Sequence, residues 1–507
     1  MIFLDFVGSC DKRTSYVPYL QPLPLTVWVG RVTINILPDD VLLFIFYFDQ
    51  AIYLDVLGDL DRVWIPSWRW HRLVHVCRRW RSVVFGSPIF LDLRLVCGPR
   101  TPLELTSIWP PFPITIENLF DTPMPGDYDF DAAMVHHNRI CEIHLNFLTS
   151  SQLKRLATAM QVQFPALIHL RLEASYYDYP RLILPDGFLE GCAPRLQSLT
   201  LNFVEFPALP KFLLSATDLV RLTLWSFFNY ISPEAIVTGL AASSNLESLV
   251  IEYRSPTSFS DTDPRCPPPL TRTVLPAVTR FEFGGKSNDL EDLVAWIDTP
   301  LLDSIWIVLR QCQSRLHIPQ FAEFMRRTTR FQTLNEAYVN IDDEAVQVES
   351  LPPTQSFHDR TGMRITSTRL ELDWQLLYLA EVFTSFFPSI FMLERVYIYG
   401  PEYLPSSPWQ YLVMDLDWLE MLQPLTAVKS LYGCKEFAKS IAPVLQELVG
   451  ERATDVLPAL ECLFLEDFQS SGPVQEAIGQ FVAARRFLGR PVAVFHWNGT
   501  LFVNLNE

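Results

Sequence analysis

The chain has 507 residues, 49% hydrophobic and 19% charged, enough for about two to four domains or one long repeat array, and too apolar for a disordered chain. A formal net charge of −17 disfavours a sequence-independent grip on nucleic acid or anionic lipid. The 9 cysteines are scattered without a C-x-x-C pair, which argues against a disulfide framework or a zinc cage and for buried thiols in a reducing compartment.

The start, Met1-Ile-Phe-Leu-Asp-Phe, lacks the basic and apolar regions of a signal peptide. No apolar run reaches the roughly 18 residues of a membrane span. A cytoplasmic or nuclear location is therefore expected, with no membrane and no nucleic-acid partner. Residues 1–32 carry no clear period and read as an N-terminal arm. The first strong signal is Ile34-Asn-Ile-Leu-Pro-Asp-Asp-Val-Leu-Leu-Phe-Ile-Phe. Pro38 suits a first helical position, Asp39 and Asp40 suit the first turn, and Val41, Leu42, Ile45 and Phe46 fall on one helical face. A second helix is predicted from about Ser67 to Phe85, with Trp70, Leu73, Val74, Cys77, Trp80 and Val84 spaced by three and four, and with Gly86 and Pro88 ending it.

Beyond residue 88 one phrase recurs: apolar-x-x-apolar-x-apolar. It starts at Ile140, Leu167, Leu196, Leu219, Leu246, Val278 and Leu302, in steps of 27, 29, 23, 27, 32 and 24 residues, and again at Leu393 and Leu460, with weaker copies near Phe331, Ile365, Val428 and Val492. These steps match leucine-rich repeats or slightly exceed them. Each phrase predicts a strand whose alternate side chains point inward, and stacking buries what one unit cannot. Helices are predicted between strands: Asn288 with Glu291 as a capping box before Leu290, Leu293, Val294 and Ile297; Ser232-Pro233 before Ile236, Val237 and Leu240; and Ser151 before Leu153, Leu156, Ala157 and Met160. Strand then helix, repeated, means a parallel sheet. Two stretches, 255–273 and about 342–362, are polar and proline-bearing and read as exposed loops.

Leu37-Pro38, Leu42, Ile45-Phe46, Val76-Cys77-Arg78-Arg79-Trp80-Arg81 and Phe90 together resemble the F-box motif. The chain after them is similar to the leucine-rich-repeat-like bodies of the F-box proteins of mushroom-forming fungi, in segments such as Trp109-Pro-Pro-Phe-Pro-Ile, Tyr230-Ile-Ser-Pro-Glu-Ala and Asn245-Leu-Glu-Ser-Leu. The resemblance covers roughly residues 24–507. It implies an all-α F-box-like domain at 33–90 and an irregular leucine-rich-repeat-like α/β solenoid with a curved parallel sheet at 91–507. It also implies a non-enzymatic role, as substrate receptor of a Skp–cullin–F-box ubiquitin ligase. A Skp-type adaptor, and through it a cullin scaffold, would be met by Leu37, Pro38, Val41, Leu42, Ile45, Phe46, Val76, Cys77 and Trp80, and a protein substrate by the repeat body. The alternative is a repeat scaffold whose first helices only cap the array. Two departures stand out. Residues 49–69 intervene between the first two helices of the motif, with Trp64, Trp68 and several Asp, and Val204 stands where ordinary leucine-rich repeats place Asn after Leu201.

Other motifs read better as structure. Arg78, Arg79 and Arg81 suit a solvated helix face. His71 and His75 have a metal-ligand spacing but no third ligand and no Glu after the first His. Gly284-Gly285-Lys286-Ser287 imitates the end of a phosphate loop, but Arg280 stands where its first Gly belongs. No nucleophilic or acid–base constellation is recognisable, and no cofactor or metal is expected. The sequon Asn498-Gly-Thr500 stands alone.

Overall fold

The structure is a computed structural model that describes residues 36–56, 70–98, 110–118, 133–175, 183–227, 231–254, 271–310, 318–328, 330–331, 335–341, 345–350, 362–368, 382–383, 393–399, 418–448, 450–466 and 472–497. The N-terminal arm 1–32, residues 57–69 with Trp64 and Trp68, most of the 255–273 loop and the Asn498 sequon lie outside the described residues. The chain divides into two compact units, one within residues 1–65 and 69–92, the other within 66–68 and 93–507.

The first unit is helical. Helix α1 spans Asp39–Val56, α2 Trp70–Val74 and α3 Arg78–Gly86. Pro38 sits just before α1 rather than inside it, and its carbonyl accepts the Leu42 N–H at 3.1 Å. The acidic pair Asp39 and Asp40 occupies the first turn, where the helix dipole favours it. The first eight residues of the 49–69 interval continue α1. The single helix expected from Ser67 to Phe85 is two, because Cys77 is extended and its sulfur accepts the Trp80 N–H at 3.4 Å as the N-cap of α3. The 3.6-residue apolar period runs through this break, so periodicity alone did not reveal it. Leu42, Phe46, Trp70, Val74, Val83, Val84 and Leu91 are buried.

The second unit is mixed α/β, built on a large sheet that is almost wholly parallel. Among the described residues sixteen strands form it, in the order β1-β2-β3-β4-β5-β6-β7-β9-β11-β14-β13-β12-β15-β16-β17-β18. The strands are β1 Leu95–Cys97, β2 Ile114–Glu117, β3 Ile140–Leu148, β4 His169–Ala174, β5 Ser198–Asn202, β6 Arg221–Phe227, β7 Ser248–Tyr253, β9 Arg280–Gly285 and β11 Ser304–Arg310, followed by β12 Glu336–Ile341, β13 Ala345–Ser350, β14 Gly362–Thr368, β15 Arg395–Tyr399, β16 Ser430–Gly433, β17 Cys462–Glu466 and β18 Ala493–Trp497. Two short strands, β8 Thr273–Val274 and β10 Ile297–Asp298, pair separately. Each recurring phrase from Ile140 to Leu302, and those at Leu393, Val428 and Leu460, enters one strand. Its second and third apolar residues point into the core, as Leu170 and Leu172, Leu199 and Leu201, and Leu222 and Leu224 do in matched register. Val204, in the place of the usual Asn, is fully buried.

The return segments hold α4 Ser150–Ala159, α5 Leu209–Leu213, α6 Pro233–Leu240, α7 Ser287–Trp296, α8 Pro319–Arg327, α9 Trp418–Leu422, α10 Lys435–Glu447 and α11 Pro473–Phe487. Ser232 caps α6 as expected. Two caps differ from expectation. Helix α4 opens at a Thr149–Gln152 capping box, ahead of Ser151. Asn288 lies inside α7, whose N-cap position is Lys286, and the Glu291 carboxylate accepts the Gln320 and Phe321 N–H groups at 2.9 and 2.8 Å and so caps α8. Helix α8 has no side-chain cap of its own, so a buried carboxylate from the neighbouring repeat satisfies its first amides.

The parallel order breaks once, at β13, which runs antiparallel to both its neighbours β12 and β14, while β14 pairs parallel with β11 and β12 pairs parallel with β15. Residues 345–350, expected in an exposed loop, thus form a buried strand. Val346 and Val348 point inward, a short alternation hidden between acidic flanks. The weak phrases near Phe331, Ile365 and Val492 are out of phase with the strands they approach, whose inward residues include Ala337 and Val339 in β12 and Met363 and Ile365 in β14. Gly284 and Gly285 make a strand-to-helix turn. A Cβ on Gly284 would meet Glu252 Cγ at 2.8 Å, and Gly285 has φ +157°, so glycine is required for packing and for backbone.

Candidate functional site

In the helical unit, the nine residues expected to meet an adaptor separate into two groups. Leu42 is 0% and Phe46 1% exposed; both serve the unit's own core, and Phe46 packs on Trp80 at 4.7 Å between ring centroids. That corrects their assignment as contact residues: positions i and i+4 turn inward together, so an apolar helix residue there meets its own module first. Cys77 is half-buried as the α3 cap, and Trp80 is half-buried beside Phe46. Leu37 is half-buried and gives its carbonyl to Arg79. Pro38, Val41, Ile45 and Val76 are exposed.

Beside the motif's Phe90, the outward surface also carries Phe44, Tyr47, Phe48 and Ile89, which the motif did not mark, and all five are exposed. The Phe90 ring lies 5.7 Å from Phe44 and 5.2 Å from Tyr47, and Tyr47 lies 5.8 Å from Phe48. These contacts make one contiguous aromatic patch linking α1 to the turn after α3. The sequence signal was the run Phe44-Ile45-Phe46-Tyr47-Phe48, apolar on every side of a helix whose core needs only one stripe. The arginines are not merely solvated. Arg79 bonds Asp39 at 2.8 Å and so ties α3 to the start of α1, and Arg81 donates to the Val74 carbonyl at 3.0 Å. His71 lies in α2 and His75 in the turn after it, so the two share no helix.

In the repeat unit the side chains between inward positions make the sheet's outer face. The residue between the second and third apolar positions of each phrase forms one continuous row across the strands. It runs His144, Arg171, Thr200, Thr223, Val250, Glu282, Trp306, Arg364, Glu349, Tyr338, Tyr397, Tyr432, Phe464, Phe495 in paired register. Its character changes along the way. At the first strands it is charged and half sunk. Glu142 pairs with Arg94, lies 3.6 Å from both His144 and His169, and accepts the Thr115 hydroxyl at 3.5 Å. Burial pushes the Glu142 carboxyl up, but His144 and the Arg94 guanidinium outweigh it and hold the group at about 2. Glu117, opposite His144 in register, is pushed up to about 7 by burial and by the Glu142 charge. Burial lowers His169 against the opposing pull of Glu142. Farther along, ion pairs cross or follow the strands: Arg171 with Glu173, Arg280 with Glu282, Arg310 with Glu252, Arg364 with Glu349 and Arg395 with Glu336.

At the last strands the same row is aromatic. Tyr338, Tyr397, Tyr432, Phe464 and Phe495 stack ring on ring at 4.7, 4.3, 4.3 and 5.0 Å, with interplanar angles of 8°, 16°, 6° and 19°. Tyr399 and Trp497 flank the stack, 5.5 Å apart. Burial, with the Glu336 charge, pushes the Tyr397 hydroxyl up to about 12, so this phenol stays neutral. Parallel strands place equivalent residues about 4.8 Å apart, which matches ring stacking; a repeat with one aromatic per strand therefore builds the ladder without further design. The signal in the sequence was an aromatic residue at one repeat position, in Val396-Tyr397-Ile398, Leu431-Tyr432-Gly433 and Leu463-Phe464-Leu465.

No family model matches this chain, and no curated protein matches it. Among solved structures, a leucine-rich-repeat protein of Leptospira interrogans is similar at 14% identity over 79% of this chain and 89% of that one, with a TM-score of 0.28. So distant a likeness adds nothing to the α/β repeat fold described above.

Proposed function

We propose that the chain is the substrate receptor of a Skp–cullin–F-box ubiquitin ligase, in which the helical unit docks on a Skp-type adaptor and the repeat unit holds a protein substrate. The observation that carries this reading is the exposed patch of Val41, Phe44, Ile45, Tyr47, Phe48, Ile89 and Phe90. A small helical unit with a core of its own gains nothing from exposing a contiguous aromatic surface, and such patches mark interaction sites. Aromatic anchors in a patch centre are the residues that dominate binding. The Leu37-Pro38 and Val76-Cys77-Arg78-Arg79-Trp80 words supply the family resemblance. The receptor itself supplies proximity, bringing substrate lysines to ubiquitin activated on other subunits.

The paired charges and the stacked rings of the outer sheet face support the substrate-binding half of the reading: repeat arrays present such rows as extended partner surfaces. The test is co-purification of a Skp-type adaptor with the full chain and with a form lacking residues 33–90. Capture by the full chain alone supports the receptor. Equal capture by both, or by neither, leaves a repeat scaffold that recruits no ligase.

A further inference from the structure

We propose that the first two strands of the sheet form a proton-gated latch: a protonated Glu117 keeps β1 and β2 closed on β3, and loss of that proton releases them. Two independent features carry this. The first is how lightly this end of the sheet is held. Among the described residues β1 pairs with β2 and with no further strand. Their ladder runs only from Leu95–Cys97 against Ile114–Ile116. The next ladder, β2 on β3, is interrupted by a register shift between Ile114 and Thr115. Leu95 donates its N–H to the Pro113 carbonyl at 2.8 Å and Ile114 to the Arg139 carbonyl at 2.9 Å, so these two amides report on the two ladders. A terminal strand pair with few ladder bonds and a bulge opens locally at a fraction of the free energy of unfolding.

The second feature is the group of side chains that clamps this end. The Glu142 carboxylate on β3 pairs with Arg94, just before β1, and accepts the Thr115 hydroxyl of β2 at 3.5 Å. It also lies 3.6 Å from His144 on its own strand and from His169 on β4. Glu117 stands two residues beyond Thr115, opposite His144 in register, and is 5% exposed. Its carboxyl therefore shares a nearly dry site with a carboxylate that is already ionised and already paired with Arg94. The other charged and titratable groups of the neighbouring elements are directed elsewhere. Arg171 of β4 is turned to Glu173 at 3.1 Å and to Asn146 at 3.0 Å, and Arg139 donates to the Phe112 carbonyl. Arg221 stands two strands beyond His169 in the same row, and burial pushes the Cys97 thiol of β1 up. A proton on Glu117 keeps the site at one carboxylate. Ionisation puts two like charges into it, and moving β2 into water relieves them. The Glu117 carboxyl is accordingly pushed up to about 7, by burial and by Glu142, while Glu142 is held at about 2 and keeps its charge throughout.

The latch is independent of adaptor docking, and its test needs no partner. The measurement is amide exchange in the full chain at about pH 5.5 and about pH 7.5, corrected for the intrinsic rates at each pH. Opening at Leu95 and Ile114 should rise about tenfold or more over that interval, because the closed state holds the Glu117 proton and the open state releases it. Gln197 and Val220, which bond across β4, β5 and β6, should change less than roughly threefold. Glu117→Gln keeps the shape and cannot ionise, so opening at Leu95 and Ile114 should also stay within roughly threefold. Comparing the two chains cancels His169, whose lowered imidazole responds in the opposite sense. Glu142→Gln should move the midpoint of the Leu95 and Ile114 profile to lower pH, a shift that a purely structural Glu117 would not produce. The same rise in wild type and in Glu117→Gln would overturn the proposal, as would a rise shared by Gln197 and Val220. Should Glu117→Gln fail to fold, the wild-type profile decides alone: no rise at Leu95 and Ile114 overturns the latch.

Discussion

Leu42 and Ile45 stand three positions apart in α1, and one is enclosed while the other is 42% exposed. The sequence placed both on one stripe; the structure separates them because the core takes only the Leu42–Phe46 line. Leu42→Ser should therefore cost about 2–4 kcal/mol of the helical unit's stability, whereas Ile45→Ser should cost under about 1 kcal/mol, as read from denaturant midpoints. Arg485 shows a second residue-scale fact that no pattern reveals. It is fully buried, and its guanidinium donates to the carbonyls of Ala453, Leu457, Pro458 and Leu460 at 3.0–3.3 Å. One cation thus pins the whole 453–460 segment. Arg485→Ala leaves buried acceptors unpaired and should cost about 2–4 kcal/mol, with faster exchange across that segment. Glu117 gives a pH signature. Its carboxyl is raised from 4.5 to about 7, so the fold favours the protonated form. The stability it allows is present in full below about pH 4.5 and declines as pH rises toward 7. Glu117→Gln should flatten that decline and stabilise the protein at pH 7.5 by no more than about 3 kcal/mol. Glu142 acts oppositely: its contribution is present above about pH 4.5 and is lost as pH falls toward 2.

At the scale of elements, the strands with a full apolar-x-x-apolar-x-apolar phrase were legible, because a parallel strand buried on one face must repeat that spacing. β13 was not, because its two inward valines are too few to outweigh the acids beside them. The division of α2 from α3 was hidden for a different reason: a half-buried cysteine can both continue an apolar stripe and cap a new helix. The aromatic patch was half legible, since the motif named Ile45 and Phe90 but not Phe44, Tyr47 or Phe48. Glu291 was assigned to the right element boundary type but the wrong helix, because a cap supplied from a neighbouring repeat has no sequence spacing to read. Glu291→Gln keeps the shape and sets an amide against the Gln320 and Phe321 N–H groups. It should cost about 1–2 kcal/mol and speed exchange in the first turn of α8 without disturbing α7.

At the scale of the whole molecule, the chain joins a small helical unit with an exposed apolar surface to a repeat unit whose outer face changes from paired charge to stacked aromatics. Such a division is what the proposed receptor, which would connect an adaptor to a substrate, requires. The central claim is that the aromatic surface of α1, and not its buried stripe, engages the adaptor. The most direct measurement is the affinity of a purified Skp-type adaptor for the full chain against the Phe44→Ser/Tyr47→Ser double variant, with the exposed Leu214→Ser in the repeat unit as control. The account predicts at least a hundredfold loss for the double variant, with its helical content retained, and none for the control. Unchanged affinity in the folded double variant would contradict it.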